Sequence, residues 1–390
     1  MHRTEKNLDI EVLRAVAVLM ILVDHVKFLT PWAGASDMVH ASTSLWGGVD
    51  VFFAVSGFVI TSLFLRQPPT THFLAFAIPF WIRRIYRIWP SALLWLAIMV
   101  LASLVVGGPF GSFKGALFDA VTTIVQVANF HFYWCTAGAG GMGICGVNTI
   151  YWSLSLEEQF YLVFPFVFFF VPRRHLPKLL LAIALIPLFV WRPPHSLLWW
   201  IRTDALAWGA LIALVAGGPA HRALEPLLFA SRWRAAGFTV LVVFLIASFG
   251  TNSVVPFQTG IIAVLSALLV WVASYDKGYT CPDGVARRVL VWIGARSYAI
   301  YLIHPFASYA TREIMAGLFP GQTFDDNWLS LFLVVGWGLI FGLAALNYSL
   351  FEMPLRRRGF RKASLAGQRL AQSLDVPAGA DVAAPTDGVR

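Results

Sequence analysis

Long apolar runs, broken at intervals by Pro, Gly or clustered Arg, dominate this chain. A membrane-crossing helix needs about 20 mainly apolar residues, and roughly 17 can suffice. On that measure the pattern predicts ten such helices, near residues 9–29, 47–65, 90–107, 153–171, 177–191, 197–216, 235–250, 257–274, 293–312 and 328–350. The joins fall at Pro31, Gly107-Gly108-Pro109, Pro172, Pro193-Pro194, Gly217-Gly218-Pro219 and Pro320-Gly321, where helices stop. One more apolar segment, 117–134, has the length of an eleventh span. Counting it would move the basic runs after it to the opposite side, so it is read as an interfacial or re-entrant part of a long outer loop.

Composition agrees with a lipid environment. Of 390 residues, 58% are hydrophobic and only 13% charged, against about 25% charged in a soluble domain. A soluble multidomain enzyme and a disordered chain are both excluded. The 29 Lys and Arg exceed the 20 Asp and Glu, giving a net charge of +9. In a membrane protein such an excess marks cytoplasmic loops, and no nucleic-acid partner is expected. With the N-terminus in the cytoplasm, the clusters at 83–87, 173–178, 222–234, 277–288 and 356–362 all fall inside. The expected fold class is therefore an all-α integral membrane protein with about ten transmembrane helices and both termini cytoplasmic. The expected domains are a transmembrane unit over 1–358 and a tail over 359–390, basic and then disordered. No cleavable signal peptide is expected. Cys135 and Cys145 share the outer loop, either bridged or as two free thiols; no metal site is expected, because CxxC spacing is absent.

Ionisable side chains inside a span are costly and mark candidate function. The first helix carries Arg14 and His25. Eleven residues return to the same helix face, roughly 16 Å along the axis. Threading sorts the other charges into two layers. Asp24, His25, Asp50, Glu157, Glu158 and Asp204 lie toward the outer side, and Arg14, Arg83, Arg84, Arg87 and Glu352 toward the inner side. Carboxylates around a histidine suit general acid–base chemistry. Guanidinium groups suit phosphate, although Arg83–Arg87 also reads as an ordinary basic cluster at the cytoplasmic face. Asp24 points about 100° away from His25 on the helix wheel, so Asp50 or Glu157 is the better carboxylate partner. His304 precedes Pro305, which frees a backbone carbonyl one turn back; its expected role is structural, with a bond to Tyr301. Glu352 is expected to pair with the inner arginines.

These residues resemble the membrane-bound acyltransferase 3 family of bacterial O-acyltransferases. The likeness rests on Asp9 through Leu13-Arg14 leading to His25, Gly47-Gly48-Val49-Asp50-Val51-Phe52-Phe53-Ala54-Val55-Ser56-Gly57-Phe58, Arg83-Arg84-Ile85-Tyr86-Arg87-Ile88-Trp89-Pro90, and Trp152-Ser153-Leu154-Ser155-Leu156-Glu157-Glu158-Gln159-Phe160-Tyr161. Weaker matches lie at 202–209, at 297–305 and at Tyr348, Glu352 and Pro354. The family often reads Leu-Asp-Gly-Leu-Arg at its first motif, whereas Ile10-Glu11-Val12 here separate Asp9 from Leu13-Arg14. The resemblance implies transfer of an acyl group, by default acetyl, from cytoplasmic acyl-CoA to a hydroxyl of an exported carbohydrate, either polysaccharide or lipid-linked glycan. It implies the bacterial cytoplasmic membrane as the location. His25 would be the base, Glu157 part of the active region, and Arg14, Arg84 and Arg87, with Arg83 as an extra cation, the CoA site. Asp50, from the residues alone, is either a catalytic companion of His25 or a buried polar residue capping the second helix. A Ser56-Gly57 turn would line the active region. Acyl-CoA is a co-substrate, and no permanently bound cofactor is expected. A hydrolase-like domain after residue 350, the fused architecture of some relatives, is not expected. The competing reading is a multi-pass transporter or flippase of a sugar-containing substrate, but no internal repeat supports it.

Overall fold

A computed structural model of the chain describes residues 6–32, 34, 44–136, 144–251 and 255–373. Among the described residues all regular secondary structure is helical. The principal helices are α1 (Leu8–Asp24), α2 (Gly48–Leu65), α3 (Phe73–Val105), α4 (Phe113–Ile124), α5 (Ala128–Thr136), α6 (Tyr151–Phe170) and α7 (Leu176–Leu185). They are followed by α8 (Asp204–Val215), α9 (Arg232–Thr251), α10 (Gln258–Ala273), α11 (Val285–Leu318), α12 (Leu329–Asn347) and α13 (Met353–Ser373). Among the described residues, seven helical stretches are long and apolar enough to cross a membrane. The other three predicted segments are α1, which a short turn Val26–Leu29 extends, and the shorter apolar helices Leu176–Phe189 and Gln258–Ala273. The protein is thus an all-helical, multi-pass membrane protein.

α3 and α11 outrun their predicted bounds, α11 spanning Val285–Leu318 rather than 293–312. α3 begins at Phe73 rather than near 90 and runs through Pro79 and Pro90. Its 33 residues reach about 50 Å, well beyond a hydrocarbon core of about 30 Å. The surplus turns hold Arg83, Arg84 and Arg87, and α13 packs along them at Pro79 and Tyr86. Gly359 of α13 lies against the Tyr86 ring, and Lys362 Nζ donates to Tyr86 Oη at 2.7 Å. Residues 359–373 of the expected tail are therefore helical and docked; the rest of that tail lies outside the described residues. The 117–134 segment is split into α4 and α5 by Gln126, whose φ is 59°. At 12 and 9 residues each piece falls short of a span. Cys135 and Cys145 form a disulfide, which settles the two alternatives for that loop.

α1 is a central element. The Asn7 side chain accepts from Ile10 N at 2.8 Å and caps its start. α11 lies parallel to it, tied at one end by Arg287 Nη2 to Asp9 at 3.2 Å and at the other by Arg312 donating to the Thr30 carbonyl at 2.8 Å. α2 and α8 pack backbone to backbone. A Cβ on Gly57 would sit 2.0 Å from the Leu206 carbonyl oxygen, and one on Gly209 would sit 1.9 Å from that of Ala54. In lipid, where no hydrophobic force joins helices, such small-residue contacts carry the association. Gly57→Val is expected to cost about 1–3 kcal/mol or more, as overpacking does. It should lower the thermal midpoint of the detergent-solubilised protein; an unchanged midpoint would contradict this packing.

Candidate functional site

The end of α1 brings two histidines together. His25 follows Asp24 as the C-cap of α1, and His304 lies within α11. Their nitrogens, His25 Nδ1 and His304 Nε2, are 2.9 Å apart, and the rings stack with centroids 5.1 Å apart. Phe28 stacks on His25 at 4.6 Å. Pro305 has no amide hydrogen, so the Tyr301 carbonyl four residues back lacks its helical donor. His304 Nδ1 fills that vacancy at 2.7 Å. The expected bond to Tyr301 is present, and His25 occupies the opposite edge of the same ring. The Tyr301 hydroxyl also donates to the Ile150 carbonyl at 2.8 Å and lies 2.7 Å from Ser153 Oγ, which fixes the start of α6 beside it.

One turn further along α6, Glu157 forms a second polar group. Its carboxylate accepts from the Ser56 hydroxyl of α2 and from the Tyr161 hydroxyl. The Arg84 guanidinium sits 5.0 Å from the Tyr161 ring centre and 5.4 Å from that of Phe80, and it interacts electrostatically with Glu157 and Glu158. Glu158 accepts from Trp89 Nε1 at 3.2 Å. Glu157 and Ser56 thus meet as expected, whereas Arg84, assigned from the sequence to the inner layer of cations, stands beside Glu157 and Tyr161 instead.

Two expectations need correction. Asp50 is not the carboxylate that orients His25. Both its oxygens accept from Arg202, Nε and Nη2 each at 3.0 Å, and both side chains are 0% exposed. A bidentate guanidinium satisfies the carboxylate and takes up its charge. Gly57 is not in a turn. It lies inside α2, where its missing Cβ makes room for the Leu206 carbonyl. Asp24 accepts from Leu45 N at 2.7 Å and anchors the approach to α2. Asp204 binds Arg192 at 2.6 and 3.2 Å.

At the opposite end of α1 the cations gather. Arg14 lies 3.5 Å from Glu11, and Lys6 lies 3.2 Å from the same carboxylate. Arg87 is within electrostatic reach of Arg14, Arg84 and Arg356. Buried Glu352 is within electrostatic reach of Arg87, Arg14, Arg356 and Lys6, but its Oε2 has no hydrogen-bond partner among the described residues, so the expected pairing is one of electrostatic proximity. Arg83 is set apart: its buried Nε has no hydrogen-bond partner among the described residues, and its electrostatic neighbour is Arg84. Like charges held this close in a poorly polarisable setting repel, and an anion among them would relieve the repulsion.

The arrangement offers an anion site and an imidazole pair on one helix, about 16 Å apart along its axis. Arg202 and Tyr161 were missed as site residues. An arginine inside the predicted 197–216 span was itself the available signal for Arg202.

The family model described as acyltransferase domain matches residues 7–347. The chain is 28% identical over 374 residues to the peptidoglycan O-acetyltransferase OatA of Listeria monocytogenes, covering 90% of this chain and 56% of that protein. It is 28% identical over 391 residues to the putative peptidoglycan O-acetyltransferase YrhL of Bacillus subtilis, covering 93% and 56%. Against the O-acetyltransferase OatA of Staphylococcus aureus the identity is 24% over 385 residues, covering 92% and 59%. The chain therefore spans somewhat more than half the length of these relatives. No solved structure matches it.

Proposed function

Because the chain belongs to the acyltransferase 3 family, we propose that it is an O-acetyltransferase of the bacterial cytoplasmic membrane, acting on a peptidoglycan-type or other exported carbohydrate. Acyl-CoA enters from the basic face, and the acceptor hydroxyl reaches His25 from the other side. The observation that carries this reading is the geometry of α1, which bears Arg14 in the cation cluster and His25 in the imidazole pair.

A sugar hydroxyl is a weak nucleophile at neutral pH. As it attacks the thioester carbon, its O–H bond breaks and the proton passes to His25. The new C–O ester bond forms and the C–S bond breaks. The sulfur leaves with the electron pair and takes up the proton from the imidazolium, giving CoA thiol and neutral His25. Arg14, Arg87 and Arg356 hold the CoA phosphates, which relieves their mutual repulsion. Glu157, Ser56, Tyr161 and Arg84 form the polar wall between the two ends.

The test is expression in a bacterium whose wall lacks O-acetyl groups, followed by mass spectrometry of released muropeptides. Alkali-labile acetyl esters are expected; an unmodified wall overturns the acceptor, and transfer from a donor other than acetyl-CoA in reconstituted membranes overturns the donor. Arg87→Ala is expected to raise the KM for acetyl-CoA about tenfold or more, the scale of one charge-assisted contact of about 1.5–3 kcal/mol. Its kcat should change little, because Arg87 gathers with Arg14, about 16 Å along α1 from His25. An unchanged KM would remove Arg87 from the donor site.

A further inference from the structure

We propose that His304 is a positioning residue that sets the tautomer of His25; this rests on His25 being the base. A backbone carbonyl can only accept, so the nitrogen of His304 facing the Tyr301 carbonyl, Nδ1, carries the hydrogen. In a neutral imidazole the other nitrogen is then the acceptor. His304 Nε2 therefore accepts, and the nitrogen 2.9 Å away, His25 Nδ1, donates. That leaves the basic lone pair of His25 on Nε2.

The order of control runs from sequence to chemistry. Pro305 removes an amide donor, the Tyr301 carbonyl is left to His304, and His304 dictates the protonation of His25. When the acceptor proton arrives on His25 Nε2, the Nδ1 hydrogen stays bonded to His304, which steadies the imidazolium. In catalytic triads a carboxylate holds this position; here a neutral imidazole, itself oriented by a backbone carbonyl, does so. Ring stacking with Phe28 restricts rotation of His25 out of that bond.

The test compares His304→Met with His304→Gln, two side chains of similar length. Gln offers an amide oxygen to His25 Nδ1 and Met does not. Purified protein in lipid nanodiscs is assayed with acetyl-CoA and soluble peptidoglycan fragments. For His304→Met, kcat should fall about 10- to 100-fold, less than the 10²–10⁴-fold contributed by a general base itself. The KM for acetyl-CoA should stay unchanged, and His304→Gln should recover most of kcat. A purely structural His304 would make Met and Gln equally impaired, or neither, and either result overturns the proposal. If the Met variant does not fold, a folded Gln variant as inactive as His25→Ala also overturns it. An active His25→Ala protein would instead remove the base reading beneath it.

Discussion

Replacing His25 with alanine should lower the rate of acetyl transfer by about 10²–10⁴-fold, the range that a positioned acid–base group contributes. The KM for acetyl-CoA should be unaffected, because the cations proposed to hold the donor lie at the other end of α1. Alanine also leaves His304 Nε2 without the hydrogen bond it accepts, so lost activity alone would not separate chemistry from packing. His25→Asn makes that separation. Its amide nitrogen can donate to His304 much as Nδ1 does, yet the side chain has no basic nitrogen. The Asn variant should therefore keep a wild-type elution profile and thermal midpoint while remaining as inactive as the Ala variant. Initial rates of CoA thiol release, measured with wall fragments as acceptor, provide the readout. An Asn variant that transfers at the wild-type rate would exclude His25 as the base.

Much of the architecture was legible because lipid imposes a strong rule. Each span needs a continuous apolar stretch with its backbone hydrogen bonds satisfied internally, and Pro and Gly mark the joins. Bounds failed where tertiary cover replaced lipid. The start of α3 reads as polar because of Arg83, Arg84 and Arg87, but α13 lies along it and the helix continues. The tail reads as unstructured for the same reason: its helix is supported by α3, a partner far away in the chain. In the site, Arg14 with His25 was legible from helical spacing, and His304 with Tyr301 from the proline that follows. The pairing of His25 with His304 spans 279 positions and that of Asp50 with Arg202 spans 152. No local spacing encodes such partners. Gly57 illustrates the same limit, since a glycine signals either a turn or a close helix approach, and only the neighbouring helix decides.

Breaking the Asp50–Arg202 pair should have the largest effect on stability. Arg202→Met leaves a fully buried carboxylate without its counter-charge, which costs about 3–5 kcal/mol when such a pair is split. The guanidinium does more than neutralise Asp50. Its Nη1 donates to the Trp199 carbonyl at 2.8 Å, and its carbon lies 4.1, 4.7 and 5.1 Å from the ring centres of Trp199, Trp152 and Trp46. Asp50 is in the first turn of α2, and Arg202 stands just before α8. The pair therefore fixes the register at which Gly57 meets Leu206 and Gly209 meets Ala54. Asp50→Leu should be similarly damaging, because it strands a buried arginine. The double variant Asp50→Leu/Arg202→Met removes both charges, and replacing a buried pair by apolar groups is often neutral or stabilising. Its loss of thermal stability should be smaller than the sum of the single losses, the signature of direct coupling. Activity then distinguishes the two roles of Asp50. If the carboxylate only clamps α2 to α8, the double variant folds and transfers acetyl groups. A double variant that folds but is inactive would return Asp50 to the chemistry.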